Sequence, residues 1–125
     1  MGIRILVVDD ATFVRDMIKK QLRDKVPGAE VIDAADGMRA LVAIKNQPPD
    51  LILSDALMPK MDGREMCRLI KKDSQLSKIK VVIMTSLSTR PRDKSAAFKE
   101  FKVDEYLQKP LSFNLLRNIL ERFLA

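Results

Sequence analysis

Histidine and tryptophan are both missing from this 125-residue chain, and cysteine occurs once. Without an imidazole, a zinc centre or a histidine-based catalytic mechanism is excluded. The lone Cys67 rules out an intrachain disulfide, and a cytosolic (cytoplasmic) compartment fits best. Cys67 falls in an apolar helical pattern with Met66 and Ile70 and reads as a buried, inert thiol. Aromatic residues make up 5% of the chain, so platforms for stacking nucleobases are scarce. No apolar stretch approaches a membrane span, and the basic-apolar start of a signal peptide is missing. A membrane partner is therefore not expected.

What remains is an ordinary globular composition, 46% hydrophobic and 32% charged. The length suits one domain, residues 1–125, with a real core. The formal charge of +6 raises the question of nucleic acid. Its carriers are spread out: Arg15, Lys19, Lys20 and Arg23, then Arg64, Arg68, Lys71 and Lys72, then Arg90, Arg92 and Lys94. They read as solvated helix faces. No recognition helix or basic-aromatic strip is present, so nucleic-acid binding within this chain is not expected.

Hydrophobic periodicity alternates between two kinds of segment. Ile3–Val8 is a continuous apolar run, as for a strand buried on both faces. Thr12–Lys25 is helical, with Phe13, Met17, Ile18 and Leu22 at helical spacing, and Pro27-Gly28 ends it. Glu30–Ala34 is a short strand. Asp36-Gly37 is a turn, and Met38, Leu41, Val42 and Ile44 mark a second helix, stopped by Pro48-Pro49. Asp50–Ser54 is the third strand, Asp62–Lys72 the third helix and Ile79–Met84 the fourth strand. Ser88-Thr89-Arg90-Pro91 reads as the start of a helix that runs to about Phe101. Glu105–Leu107 is a fifth strand. Ser112 can cap a last helix carrying Leu115, Leu116, Ile119, Leu120 and Phe123. The result is an α/β chain of (βα)₅ type, a parallel sheet between two helical layers.

Polar residues mark the carboxyl ends of these strands: Asp9-Asp10, Asp55, Thr85 and Lys109. In an open parallel sheet, ligands bind at that edge. One fold would therefore gather three carboxylates, a hydroxyl and an ammonium, a set suited to a divalent cation and a phosphoryl group. Each mark alone has a plainer reading. Asp9-Asp10 could equally cap the following helix. Asp62-Gly63 reads as a turn and helix start rather than a ligand. Alone, Thr85 is an ordinary strand-end residue, Lys109 a surface lysine and Tyr106 partly buried packing.

Taken in order, Val7-Val8-Asp9-Asp10, Asp55-Ala56-Leu57-Met58-Pro59, Met61-Asp62-Gly63, Met84-Thr85-Ser86 and Asp104 to Pro110 resemble the receiver domain of two-component response regulators. The likeness covers the whole chain and is greatest to single-domain chemotaxis-type receivers. It implies a flavodoxin-like three-layer sandwich with strand order 2-1-3-4-5. It implies that Asp55 accepts a phosphoryl group from a sensor histidine kinase or a histidine phosphotransfer protein. Asp9, Asp10, Asp55 and the Leu57 carbonyl would hold Mg²⁺, while Thr85 and Lys109 bind phosphoryl oxygens. Thr85 and Tyr106 would form the switch, and the bond between Lys109 and Pro110 would be cis. The output would be a downstream protein target or a self-dimer through the fourth helix, fifth strand and fifth helix. Such a chain would not be an enzyme, catalysing only its own phosphorylation and dephosphorylation.

The chemistry suits those residues. Mg²⁺ prefers oxygen ligands and keeps several waters, so a few carboxylates and phosphoryl oxygens suffice. Two carboxylates ~4 Å apart repel by about 4 kcal/mol at an effective dielectric of 20. A cation and Lys109 would relieve that repulsion. An aspartate nucleophile forms an acyl phosphate, and phosphoryl transfer asks mainly for positioning and charge.

The chain departs from the family pattern at Leu57 and Leu87, where many relatives are polar, and at Lys102, where relatives often have glycine. It also carries Arg90-Pro91-Arg92 in a slightly long segment between Thr85 and Lys109. These changes bear on phosphoryl lifetime and on the shape of the output surface. Three roles are compatible with the sequence: a switch acting on a protein target, an intermediate that passes phosphate to a histidine, and the regulatory part of a longer DNA-binding or enzymatic protein.

Overall fold

A computed structural model describes residues 2–86 and 94–124 of the chain. The expected helix start at Ser88 to Pro91, together with Leu87 and Arg92, lies outside the described residues. The elements follow in strict alternation: β1 (Arg4–Val8), α1 (Thr12–Lys25), β2 (Glu30–Ala34), α2 (Gly37–Asn46), β3 (Leu51–Asp55), α3 (Gly63–Lys72), β4 (Lys80–Thr85), α4 (Lys94–Phe101), β5 (Glu105–Gln108) and α5 (Phe113–Leu124). All neighbouring strands pair in parallel, in the order β2-β1-β3-β4-β5. This is the expected sandwich. The third and fourth strands run one residue further than their apolar runs imply, so Asp55 and Thr85 are the last residues of β3 and β4.

Alternate strand residues face opposite layers, as the pleat requires. Ile5, Val7, Leu51, Leu53, Val82 and Met84 pack with Ile18 and Leu22 of α1 and with Leu116, Ile119 and Leu120 of α5. Leu6, Val8, Ile52, Val81 and Ile83 pack with Ala40 and Ile44 of α2 and with Met66, Cys67 and Ile70 of α3. Both faces of the sheet are thus covered, which explains strands without polar alternation. Truncating one of the wholly buried aliphatic side chains to alanine costs about 2–5 kcal/mol in cores of this kind.

Several apolar residues expected at helical spacing do not reach these layers. Phe13 is 78% exposed and Val42 62% exposed, and Met17, Met38 and Leu115 are also exposed. Each helix touches the sheet along one narrow stripe, and these positions lie beside it. The basic residues need the opposite correction. Lys71 is not a solvated face residue: its Nζ donates to Asp104 Oδ2 at 2.7 Å and to the Ile79 carbonyl at 2.6 Å. Asp104 Oδ2 also accepts Val81 N at 2.7 Å, so this ion pair ties α3 to the starts of β4 and β5.

Local capping follows the sequence. Asp36 accepts from Arg39 N, Asp62 from Arg64 N and Ser112 Oγ from Leu115 N. The acidic pair does not cap α1, whose N-cap residue is Ala11 and has no side-chain cap. Lys102 follows α4 in the left-handed region, at φ 56°, where glycine has no steric cost. That conformation gives physical meaning to the glycine expected there from the resemblance.

Gly63 is the tightest point near the strand ends. Its amide donates to the Ala56 carbonyl at 2.8 Å. A Cβ there would overlap the Asp55 carbonyl oxygen and lie 2.8 Å from Ser54 Oγ. Gly63→Ala should therefore destabilise the protein by about 1–3 kcal/mol. Thermal unfolding should show a melting temperature lower by roughly 5–10 °C. An unchanged melting temperature would contradict this close approach.

Candidate functional site

Strand register places the polar marks side by side. Val8 pairs with Ser54, Asp55 with Met84, and Thr85 with Gln108. The residues that follow each pair therefore emerge at one edge. Backbone bonds then fix the loops: Ala56 N donates to the Met84 carbonyl at 3.0 Å, and Lys109 N to the Thr85 carbonyl at 2.7 Å. The bond between Lys109 and Pro110 is cis, as the resemblance implies.

The structure brings together the acidic residues read from the sequence. Asp9, Asp10 and Asp55 each offer a carboxylate oxygen, all within 4.8 Å of one another. Asp9 is buried, Asp55 half-buried and Asp10 exposed. The Lys109 ammonium lies 3.2 Å from Asp55 Oδ1 and 3.6 Å from Asp9 Oδ2. Burial pushes the Asp55 carboxyl above its ordinary range; Lys109 opposes this and the Asp9 charge adds to it. Asp9 Oδ1 accepts Ala11 N at 2.9 Å, whereas Oδ2 is buried with no hydrogen-bond partner among the described residues. A buried carboxylate oxygen left in that state is costly unless something cationic meets it. Three oxygen donors with no nitrogen or sulfur among them suit a hard cation such as Mg²⁺.

Thr85 is buried at the end of β4, and Tyr106 is buried on the neighbouring β5, where it pairs with Ile83, two residues before Thr85. Burial raises the Tyr106 phenol pKa, with Arg64 opposing. Leu57 sits two residues beyond Asp55 with its side chain 62% exposed, while Met58 turns inward. Cys67 lies on the buried face of α3, and desolvation pushes its thiol up to about 12. It is inert, as its sequence setting implies.

Two cations were missed as site supports. Arg15 Nη1 donates to the Asp9 carbonyl at 2.7 Å, and its Nε donates to Asp33 Oδ2 at 2.9 Å. It thereby anchors the acidic loop from α1 to β2. Arg64 is held by Asp62 at the start of α3. Neither has a local sequence signal, because each partner is fixed by a turn or by a distant strand. Beside Lys109, the side chains of Val14, Met17, Met84, Pro110 and Phe113 help line an apolar groove of about 260 Å³.

The family model of the response regulator receiver domain matches residues 5–121. The protein PilG of Pseudomonas aeruginosa is 34% identical over 116 residues, covering 89% of this chain and 79% of that protein. A probable transcriptional regulator, ycf27 of Porphyridium aerugineum, is 34% identical over 109 residues, covering 87% of this chain. The match covers only 42% of that regulator's length. In structure, the chemotaxis response regulator CheY4 of Vibrio cholerae superposes with a TM-score of 0.84 at 31% identity, over 98% of this chain and 99% of that one. Strand order, acidic edge and sequence kinship agree, and the chain belongs to the response regulator receiver domain family of two-component systems.

Proposed function

We propose that Asp55 is the phosphoryl acceptor of this receiver and that the acidic edge works with Mg²⁺. The observation that carries the reading is the Lys109 ammonium 3.2 Å from Asp55 within a cluster of three aspartates. An Asp55 carboxylate oxygen bonds to phosphorus as the bond from phosphorus to the donor's leaving group breaks. The electron pair leaves on the donor, an imidazole nitrogen for phosphohistidine or an acetate oxygen for acetyl phosphate. Lys109, the charge partner of Asp55 before transfer, and the Thr85 hydroxyl then bind phosphoryl oxygens. Asp9, Asp10, Asp55 and the Leu57 carbonyl would hold the Mg²⁺, which supplies neutralisation of the phosphoryl charge. On this reading the chain is not an enzyme acting on a separate substrate.

A sensor histidine kinase or histidine phosphotransfer protein is the donor. It must approach over the strand ends, where Phe13 and Met17 are exposed beside the apolar groove next to Lys109. A cytoplasmic location is part of the same reading and rests on the single, reduced cysteine. The output is the α4-β5-α5 face, offered to a protein target or to a second copy. Its described surface carries Lys99 and Lys102 with Glu100, and an Arg122–Glu105 pair at 3.0 Å. Phosphoryl capture biases the arrangement of Thr85 and Tyr106, and only a difference in affinity between the two arrangements can do so.

Acetyl phosphate should add one phosphoryl group, read by intact mass, with Mg²⁺ present and not with EDTA. Asp55→Asn should take up none, and equal labelling of that variant would sink the reading. Removing one charge from the cluster should also stabilise the metal-free protein. We expect Asp55→Asn to melt about 3–6 °C higher than wild type in EDTA, the scale of ~1 kcal/mol for a domain of this size. Added Mg²⁺ should raise the wild type and leave the variant nearly unchanged.

Beryllofluoride with Mg²⁺ should mimic the acyl phosphate. Amide NMR shifts are expected to run from Asp55 through Thr85 to Tyr106 and Lys102. Shifts that stop at the acidic edge, or that gather on α1 alone, would contradict the output assignment.

A further inference from the structure

The first turn of α3 carries a cation that the acidic edge does not use. Arg64 grips Asp62 with two guanidinium nitrogens, Nε to Oδ1 at 3.0 Å and Nη2 to Oδ2 at 2.7 Å. Asp62 Oδ1 also accepts the Arg64 backbone amide at 2.8 Å. A planar fork held at both prongs and at its own backbone has little freedom to swing. Held this way, the guanidinium carbon stands 5.7 Å from the centroid of the Phe101 ring, at the C-terminal end of α4. The side chain is only 26% exposed. The Glu100 carboxylate lies near enough for its charge to act on it, and the neutral Tyr106 phenol lies within the same range.

Two places meet at this residue. On one side is the loop that leaves Asp55, closed by the Gly63 amide on the Ala56 carbonyl. On the other is the apolar layer in which Phe101 packs against the cluster containing Tyr106, Met66 and Cys67. Arg64 sits across that boundary with its charge satisfied by Asp62 and its guanidinium carbon over the Phe101 ring. A partly buried cation–aromatic contact biases a two-state equilibrium by a factor of about 2 to 5.

We propose that Arg64 is a positioning residue for the switch: it clamps the start of α3 to Phe101 of α4 and holds the Tyr106 ring in its buried place. The Asp55 loop and the output face are then joined through Asp62, Arg64 and Phe101 as well as through Thr85. The effect on phosphoryl capture rests on Asp55 being the acceptor. The placement of Tyr106 does not, because it is a property of the protein alone.

Tyr106 is the only tyrosine and the chain has no tryptophan, so tyrosine emission reports this one ring. Acrylamide, a neutral quencher, measures its access to solvent. The wild-type ring is 6% exposed, and its quenching should be weak. Arg64→Met keeps the aliphatic stem and loses the charge. It should raise the Stern–Volmer constant about two- to five-fold and weaken beryllofluoride binding in Mg²⁺ by a similar factor. Arg64→Lys should recover part of both. Asp62→Asn keeps a helix cap and cuts the ion pair; it should move both readouts the same way by a smaller factor. Circular dichroism identifies the variants that fold, and either Arg64→Met or Asp62→Asn suffices for the quenching test. Wild-type quenching in a folded variant of either kind overturns the proposal. If the wild type binds no beryllofluoride, the acceptor reading fails, and quenching alone still decides whether Arg64 holds Tyr106.

Discussion

Three carboxylates held within 4.8 Å of one another are a strained charge distribution, and the rest of the fold is arranged around making it possible. Isolated aspartates on a flexible chain would separate. Here they cannot, because each is fixed to the end of a strand whose neighbours are in register. The register is fixed in turn by two apolar layers, since a slip of one residue would turn every buried strand side chain to the wrong layer. Packing energy far from the edge therefore holds charges together at the edge. Lys109 relieves only part of the repulsion: it approaches Asp55 more closely than Asp9, and Asp9 Oδ2 stays buried without a hydrogen bond among the described residues. What remains is an unmet demand for positive charge at the edge, the setting in which a hard cation would be held.

The supports of that edge divide the work by element. Arg15 reaches from α1 to hold the Asp9 carbonyl while pairing with Asp33 on β2, where Lys19 adds a second contact at 3.4 Å. Gly63 lets α3 begin against the Asp55 carbonyl, and no larger residue fits there. At the opposite end of the sheet, Lys71 and Asp104 fasten α3 to β4 and β5. The pair is largely buried, with side chains 10% and 19% exposed, and it also satisfies the Val81 amide and the Ile79 carbonyl. Breaking it from one side would leave an uncompensated charge, the costly case for buried pairs.

The strands and the acidic edge were legible in the sequence for one physical reason. A strand buried on both faces writes an unbroken apolar run, and the first charge after it marks the end of the strand at the carboxyl edge of the sheet. Ile5 to Val8 before Asp9, and Leu51 to Ser54 before Asp55, are such runs. Helix faces were read less well. Phe13 and Met17 share helical spacing with Ile18 and Leu22, yet only the latter pair is buried, because spacing fixes a stripe without fixing its edge. Arg15, Arg64 and Lys71 looked like solvent-facing cations because nothing local distinguishes a cation that will find a carboxylate through the fold. Lys102 was flagged as a departure from glycine, and the left-handed backbone there gives the departure its physical meaning.

The same division bears on how a change at Asp55 travels. An edge held by rigid strands transmits little along them, since β3 and β4 are buried and paired on both sides. On the proposed reading, a change at Asp55 would pass outside the strands, through the loop from Asp55 to Asp62, the end of α4 and the ring of Tyr106. The loop is pinned at its far end by the Gly63 amide and by the Asp62–Arg64 pair. Any shift that phosphoryl capture imposes on Ala56 therefore reaches the start of α3 within one hydrogen bond. From there the guanidinium of Arg64 reaches the Phe101 ring at the end of α4. Two routes out of one site, one through the β4 end and one through α3, would let the output face respond to the position of the loop as well as to Thr85.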